Sequence, residues 1–209
     1  MKTMKFLFLI IFAVLILVGC EDGAAIRITN QTNHNLYGAI DGTSFTIAGK
    51  EIYEIPVDTD RKVPFFADGR TKKMLTLRGE TFRIFDEYNK IYYDQTEIIF
   101  TPGNTYRVYC SPNSASVKII NHSNQRITKL KYRKVTQFTN GELFLVTFDP
   151  PIEPGDFAYH NIAFQTNENR FYYTFVVETE NGNSYDFGGN VEESYLSIDE
   201  QYLIEFCEN

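Results

Sequence analysis

The 209-residue chain contains no tryptophan and only three histidines, three cysteines and three methionines. Histidine is the usual general base near neutral pH, and zinc sites draw on motifs such as His-Glu-x-x-His or paired Cys-x-x-Cys, which the sequence lacks. A Gly-x-Ser-x-Gly elbow, a phosphate-binding glycine loop and a dinucleotide fingerprint are also missing. We therefore expect no catalytic residues, no metal and no cofactor.

The first twenty residues are organised as a secretory signal. Lys2 and Lys5 precede thirteen apolar residues, from Phe6 to Val18. As a helix this run would extend about 20 Å, less than the roughly 30 Å hydrocarbon core of a bilayer. We expect the signal peptide, residues 1–19, to be removed instead of remaining as a transmembrane anchor.

The end of this signal, Leu17-Val18-Gly19-Cys20, resembles the lipobox of bacterial lipoproteins. The resemblance implies cleavage between Gly19 and Cys20 and attachment of a diacylglyceryl group to the Cys20 thiol. Two or more acyl chains anchor a protein stably, so the mature chain is expected to stay on a membrane of the bacterial cell envelope. Glu21-Asp22 resembles the acidic signals that route some lipoproteins outward, which favours the outer membrane or the cell surface. The mature part suggests no specific family.

Removal of the signal takes away two lysines and leaves 18 basic against 27 acidic residues. An acidic body is repelled by phosphate backbones, so we expect no nucleic-acid partner. Aromatic residues make up 15% of the chain and are all tyrosine or phenylalanine. Mixed with isoleucine, valine and threonine, they are typical of β-strands.

Two segments align without a gap at an offset of 91 residues, Ala25–Leu36 (AIRITNQTNHNL) and Ser116–Ile127 (SVKIINHSNQRI). Ile99–Val108 and Tyr195–Ile204 also correspond, at an offset of 96. Turn and hairpin signals follow in the same order in both halves, at Ile47–Gly49 and Asp68-Gly69, and at Ile152–Gly155 and Asn181-Gly182. Self-similarity at this spacing indicates a duplicated unit.

The prediction is an all-β protein of two tandem, related β-sandwich domains of immunoglobulin-like type. Residues 25–111 form the first repeat and residues 116–209 the second, after a short lipid-anchored tether at residues 20–24. The split lies in the segment 111–115. A single sandwich built from both copies is the alternative.

Each repeat carries an insertion that the other lacks. In the first, residues 82–94 fit either a helix, through a stripe at Ile84, Phe85, Tyr88, Ile91 and Tyr92, or a hairpin turning at Asn89-Lys90. In the second, Lys131–Phe148 is longer than its counterpart, and Asn140-Gly141 predicts its hairpin turn.

Few side chains are candidates for a site. Cys110 and Cys207 each end the last strand of a repeat, so a disulfide and two free thiols are both considered. Tyr92, Tyr93, Tyr172 and Tyr173 are candidate contact residues, although alternating aromatics also fill sandwich cores. The three histidines, His34, His122 and His160, are interpreted as ordinary surface or strand residues, and adjacent acids such as Asp86-Glu87 as solvated turns.

The leading hypothesis is therefore a non-enzymatic, membrane-anchored binding or structural protein that contacts a protein or a glycan. A small-ligand-binding component with its site between the repeats is one alternative. A hydrolase of envelope polymers is the other, and it would need two acids, or an acid and a histidine, in one pocket.

Overall fold

The computed structural model describes residues 23–60, 68–189 and 193–207. Gly19 and Cys20, with the whole lipobox, lie outside these ranges. The described residues form sixteen β-strands and contain no helix, so none of them belongs to a helix able to cross a membrane. The all-β prediction is confirmed.

The described residues divide into two compact units. Unit 1 contains the residues up to Arg78 together with Ile84–Ser111, and unit 2 contains Gly79–Arg83 together with the residues from Pro112 onward. The main division of the chain falls inside the segment 111–115. Two units exclude the single sandwich built from both copies, but the grouping of Gly79–Arg83 with unit 2 was not indicated by the sequence.

Unit 1 consists of two main sheets and a separate hairpin. A three-stranded sheet has the order β4-β1-β9, in which β1 is antiparallel to β4 and parallel to β9, and a four-stranded sheet has the order β3-β2-β5-β8. Strands β6 and β7 pair only with each other. The strands are β1 (Ala24–Asn30), β2 (Leu36–Ile40), β3 (Thr43–Ile47), β4 (Ile52–Val57), β5 (Thr71–Gly79), β6 (Ile84–Asp86), β7 (Ile91–Tyr93), β8 (Gln95–Phe100) and β9 (Thr105–Cys110).

Unit 2 repeats this topology strand for strand, without the hairpin. Its sheets have the orders β13-β10-β16 and β12-β11-β14-β15, and β10 is again parallel to the last strand. Even the register is the same: Ile26 pairs with Tyr106, and their counterparts Val117 and Tyr202 pair with each other. The strands are β10 (Ala115–Asn121), β11 (Ile127–Val135), β12 (Asn140–Ile152), β13 (Phe157–Ile162), β14 (Tyr172–Thr179), β15 (Ser184–Gly188) and β16 (Gln201–Phe206).

Alternation of side chains builds the core of unit 2. In β14, Tyr173, Phe175 and Val177 are fully buried, and the residues between them are only half-buried. They meet Val117 and Ile119 of the other sheet in one apolar cluster. Period-two burial on facing sheets is what the strand composition predicts for a sandwich.

A buried asparagine closes the corner after the first strand of each unit. The Asn30 side-chain amide donates to the backbone oxygens of His34 (2.7 Å), Ala48 (2.9 Å) and Ile47 (3.2 Å), and its Oδ1 accepts from the backbone N–H and hydroxyl of Thr32. The repeated asparagine is therefore a structural element, which fixes the chain where it crosses between sheets.

Unit 2 contains the same corner. Asn121 donates to the backbone oxygens of Gln125 (2.7 Å) and Ile152 (3.0 Å) and accepts from both the backbone and the hydroxyl of Ser123. The Asn-x-Thr/Ser pattern that aligns the two repeats is thus explained by one buried hydrogen-bond network. The turn is not simply solvated, because Thr32 and Ser123 are buried, although their neighbours Asn33 and Asn124 are exposed.

Residues 84–93 form a hairpin, and the helical alternative is wrong. The Asp86 carboxylate accepts hydrogen bonds from the backbone N–H groups of Tyr88 (2.8 Å) and Asn89 (3.1 Å), which closes the turn locally. Lys90 then adopts a positive φ of 58°. The helical spacing of the apolar residues has no core to pack against, since these side chains are exposed.

The turn predicted at Asn140-Gly141 is misplaced by three residues, because the observed turn centres on Gln137-Phe138. The chain reverses at Thr136–Thr139, where the Thr136 backbone N–H donates to the Thr139 carbonyl at 2.9 Å, and Asn140 already pairs with Val135. A Cβ atom on Gly141 would lie 2.7 Å from the Lys134 carbonyl oxygen. Glycine is therefore required at position 141 by close strand approach.

Candidate functional site

The hairpin β6–β7 of unit 1 exposes an unusual concentration of large apolar side chains. We call this set the aromatic hairpin, and Tyr88, at the turn, is 94% exposed. The other members are between 39% and 50% exposed: Phe85, Ile91, Tyr92 and Tyr93. Scattered apolar side chains are normal on a protein surface, but five of them in one short hairpin make this segment a candidate contact surface.

Local contacts hold the aromatic hairpin in shape. The Phe85 and Tyr92 rings lie 4.9 Å apart between centroids, and the Lys90 ammonium lies 5.8 Å from the Phe85 ring centroid. Hydrogen bonds from the Asn89 backbone and side chain hold the pKa of the Asp86 carboxyl below its ordinary value. A carboxylate that remains ionised keeps the turn closed near neutral pH, so the surface is preorganised.

An open groove of about 710 Å³ forms a second candidate in unit 2. Four of its eight lining residues are aromatic, and Arg170 supplies a cation. The Lys134 ammonium lies 4.7 Å from the centroid of the Phe171 ring. The lining residues are Val135, Thr136, Gln137, Phe138, Arg170, Phe171, Tyr172 and Tyr195. Apolar walls with a cation suit a ligand that combines an apolar body with an anionic group.

The four candidate tyrosines have three different environments. Tyr92 and Tyr93 belong to the aromatic hairpin, and Tyr172 is half-buried in the wall of the groove. Tyr173 is fully buried, and its hydroxyl donates to the Ala163 carbonyl at 2.7 Å. Burial raises the pKa of the Tyr173 hydroxyl, and a partner cannot reach its ring, so its prediction as a contact residue is wrong.

The disulfide between Cys110 and Cys207 is not formed, and both thiols are free. Cys110 faces the core at the end of β9, whereas Cys207 follows the last residue of β16 and is exposed. The residue equivalent to Cys110 is Phe206, and a shift of one position moves the next side chain out of the core. Burial raises the pKa of the Cys110 thiol to about 12, which leaves almost no reactive thiolate at neutral pH.

The histidines and acids do not converge on a catalytic pocket in the described ranges. The Nε2 atom of His160 lies 3.5 Å from the Tyr132 hydroxyl, His34 is half-buried in its corner, and His122 is exposed. Among the residues that the structure describes, no group of three or more His, Cys, Asp or Glu side chains is placed to hold a metal ion.

A buried polar cluster in unit 2 was not predicted. Glu80 is only 2% exposed; its Oε1 accepts from the Lys118 ammonium at 2.9 Å and its Oε2 from the Gln201 amide at 2.8 Å. The Asn161 side-chain amide donates to the Glu80 carbonyl at 2.7 Å. No local sequence signal identifies Glu80, because its partners lie 38 to 121 residues away in the chain.

Comparison with known proteins gives no family. No protein-family model matches the sequence, and no curated protein sequence is similar to it. Among solved structures, similarity is found to the Bacillus anthracis TIE protein, at 8% identity and a TM-score of 0.28, over 90% of this chain and 34% of that one. This chain therefore spans about a third of that protein's length.

Two further solved structures cover similar shares of the chain. The tip fimbrial protein Mfa3 from Porphyromonas gingivalis is 9% identical with a TM-score of 0.26, over 84% of this chain and 86% of its own. The major pilin from Streptococcus pyogenes is 10% identical with a TM-score of 0.22, over 90% and 98%. Similarities at this level assign no function to the chain.

Proposed function

We propose that this protein is a lipid-anchored, non-enzymatic binding protein of the bacterial cell envelope. The proposal has two parts, an anchor at Cys20 and a contact surface for a protein partner on unit 1. The anchor is supported by Leu17-Val18-Gly19-Cys20 and the apolar leader before it. The contact surface is supported by the aromatic hairpin.

The anchor predicts that Cys20 carries the acyl chains. Cells grown with an alkyne-tagged fatty acid should label the wild-type protein, and Cys20→Ala should abolish the label because no thiol remains at the modified position. Cys207→Ala is the matched control and should label as strongly as wild type. Label that persists in Cys20→Ala would overturn the anchor.

The aromatic hairpin carries the binding part of the proposal. Tyrosine is enriched among residues that dominate binding free energy, because its rigid ring buries a large area at low entropic cost and its hydroxyl offers a hydrogen bond. The described residues of unit 2 have the same topology but contain no such hairpin. The hairpin is thus an addition to a framework that is complete without it, as expected for a segment with a binding role.

Alanine substitution tests the hairpin directly. Tyr88→Ala combined with Tyr92→Ala should reduce chemical crosslinking of the protein to its partner on intact cells by about ten-fold or more, because two contact aromatics typically contribute over 1 kcal/mol each. Tyr109→Ala is the control, since Tyr109 is 59% exposed on β9 of the same unit. Equal losses in both variants would contradict a specific role for the hairpin.

A second function, binding of a small ligand, is favoured by the groove of unit 2. Its aromatic walls and Arg170 suit an amphipathic anionic ligand. Arg170→Ala and Phe138→Ala should each abolish binding of that ligand. Replacement of Tyr88 and Tyr92 should leave its binding unchanged. The two functions therefore respond to different substitutions.

A further inference from the structure

The equivalent edge strands of the two units differ sharply. β3 ends its sheet in unit 1 and β12 occupies the same position in unit 2. β3 has only five residues, three of them threonine or serine, whereas β12 has thirteen. Short polar edges, bulges and prolines are the usual protection against pairing with another chain. β12 is regular only from Leu143 to Thr147, between two register shifts and before Pro150-Pro151, and this stretch lacks the protection that β3 has.

β12 carries no charge from Leu143 to Phe148, and Thr147 is the one polar residue in that stretch. Leu143, Phe144 and Leu145 are 48%, 39% and 58% exposed. Among the described residues β12 pairs only with β11, so its other edge presents a row of backbone donors and acceptors. An uncharged six-residue stretch of high β-propensity on an open edge is a template for an added strand.

The side chains of β12 divide between the two faces of the sheet. Leu143 and Leu145 lie beside Arg133 and Lys131 of β11, on one face. Phe144 lies on the other, where its ring stacks on Tyr132 at 5.1 Å. An added strand must keep this division, because residues directly opposite each other in a sheet share a face.

A second copy of β12 meets this requirement in an antiparallel register centred on Leu145, the middle of the regular stretch Leu143–Thr147, because this register pairs the whole stretch. Leu145 then faces Leu145 of the other copy, and Leu143 faces Thr147. The paired stretch Leu143–Thr147 contains no acid, so no two acids oppose each other. A register shifted by one residue would put odd-numbered residues opposite even-numbered ones, which breaks the match of faces.

We propose that β12 is a self-association edge, through which two copies of this chain join their four-stranded sheets into one antiparallel eight-stranded sheet. The two-fold axis passes through the pair of Leu145 residues. Such an interface is isologous, so it closes on itself as a dimer. It uses unit 2 alone and does not depend on the aromatic hairpin.

Disulfide trapping tests the register in the full chain on the membrane, in a Cys207→Ser background. Leu145→Cys should give a crosslinked dimer on oxidation, because paired residues have Cα atoms about 4.5 to 5.5 Å apart, within disulfide range. Leu143→Cys should not, because its symmetry mate lies four residues along the strand, about 13 Å away. Crosslinking of Leu143→Cys as strong as that of Leu145→Cys, or none in either, would overturn the proposal.

Mass measurement provides the second readout. In sedimentation equilibrium with density-matched detergent, the purified full-length protein should have the mass of two chains. Leu145→Lys should raise the dissociation constant about ten-fold or more, because two ammonium groups would face each other at the axis. Leu203→Lys is the control, since Leu203 is 48% exposed on β16. A monomeric wild type, or a Leu145→Lys dimer as stable as wild type, would contradict self-association at β12.

Discussion

Glu80→Ala is expected to lower the free energy of unfolding of unit 2 by about 3 to 5 kcal/mol, because it strands a cation in a site built for an ion pair. Lys118 is only 19% exposed, its ammonium lies 2.9 Å from Glu80, and the Phe157 ring beside it at 4.7 Å cannot replace a carboxylate. The same substitution also leaves the Gln201 amide without its 2.8 Å acceptor.

Two further variants separate the effect of burial on stability from the effect of the ion pair itself. Replacing both partners, Glu80→Leu with Lys118→Met, should recover most of the loss, since an apolar pair of similar volume leaves no buried charge. Glu54→Ala breaks the Arg27 ion pair in unit 1, where both side chains are almost half exposed, and should cost less than about 1 kcal/mol.

Hydrogen exchange under increasing denaturant, followed on peptides of β10 and β16 for unit 2 and of β1 and β9 for unit 1, reports the unfolding of each unit separately. A loss in Glu80→Ala no larger than in Glu54→Ala would contradict a stabilising buried pair.

Asn121→Ala is expected to destabilise unit 2 by about 3 kcal/mol, the second largest effect. The substitution removes the 3.0 Å donor to the Ile152 carbonyl and the acceptor of the Ser123 backbone N–H, at a corner where Asn121 is fully buried. The Ser123 hydroxyl and the Gln125 carbonyl lose their bonds to Asn121 but keep each other as partners at 3.2 Å. Each buried polar group that loses its partner costs about 1 to 3 kcal/mol.

The duplication supplies a parallel test in unit 1. Asn30→Ala should destabilise that unit by a similar amount, because the Asn30 amide makes the equivalent bonds. Asn124→Ala is the control in unit 2, since Asn124 is exposed, and should change stability by less than about 0.5 kcal/mol. Urea denaturation of the four proteins measures all the differences, and a neutral Asn121→Ala would show that water replaces the side chain.

The strand order was predictable because its signals are local. Alternation and turn residues mark each strand, and the gap-free alignment of Ile26 with Val117 corresponds to equivalent positions in two identical registers. The side chains that the two repeats have in common are those of the core and of the asparagine corner. Because the two halves align with each other, a strand signal that is weak in one half is supported by its counterpart in the other.

The features that the sequence did not predict depend on partners that are distant in the chain, or on the face of the strand to which a side chain points. The helical stripe at residues 84–92 could not be distinguished from a hairpin, because spacing does not reveal whether a core lies opposite. Tyr173 and its neighbour Tyr172 differ in burial only through the face that each presents. The role of Glu80 could not be predicted for the same reason, because no residue near it in sequence indicates that it pairs with Lys118.

The differences between the two units are more informative for function than their similarities. Unit 1 adds the aromatic hairpin to the shared framework, and unit 2 extends the edge strand β12. Neither addition is needed for the sandwich, as the other unit shows in each case. Both additions expose apolar side chains to water, which lowers solubility. Exposed apolar groups of this kind are typical of binding surfaces.

The most direct measurement is site-specific photocrosslinking on intact cells, with a photoreactive amino acid at position 88 or, as the control, at position 109. If the protein is lipid-anchored and binds through the aromatic hairpin, position 88 should give one discrete crosslinked partner band in the membrane fraction. Position 109 should give none. No band from position 88, or the same bands from both positions, would contradict the proposed function.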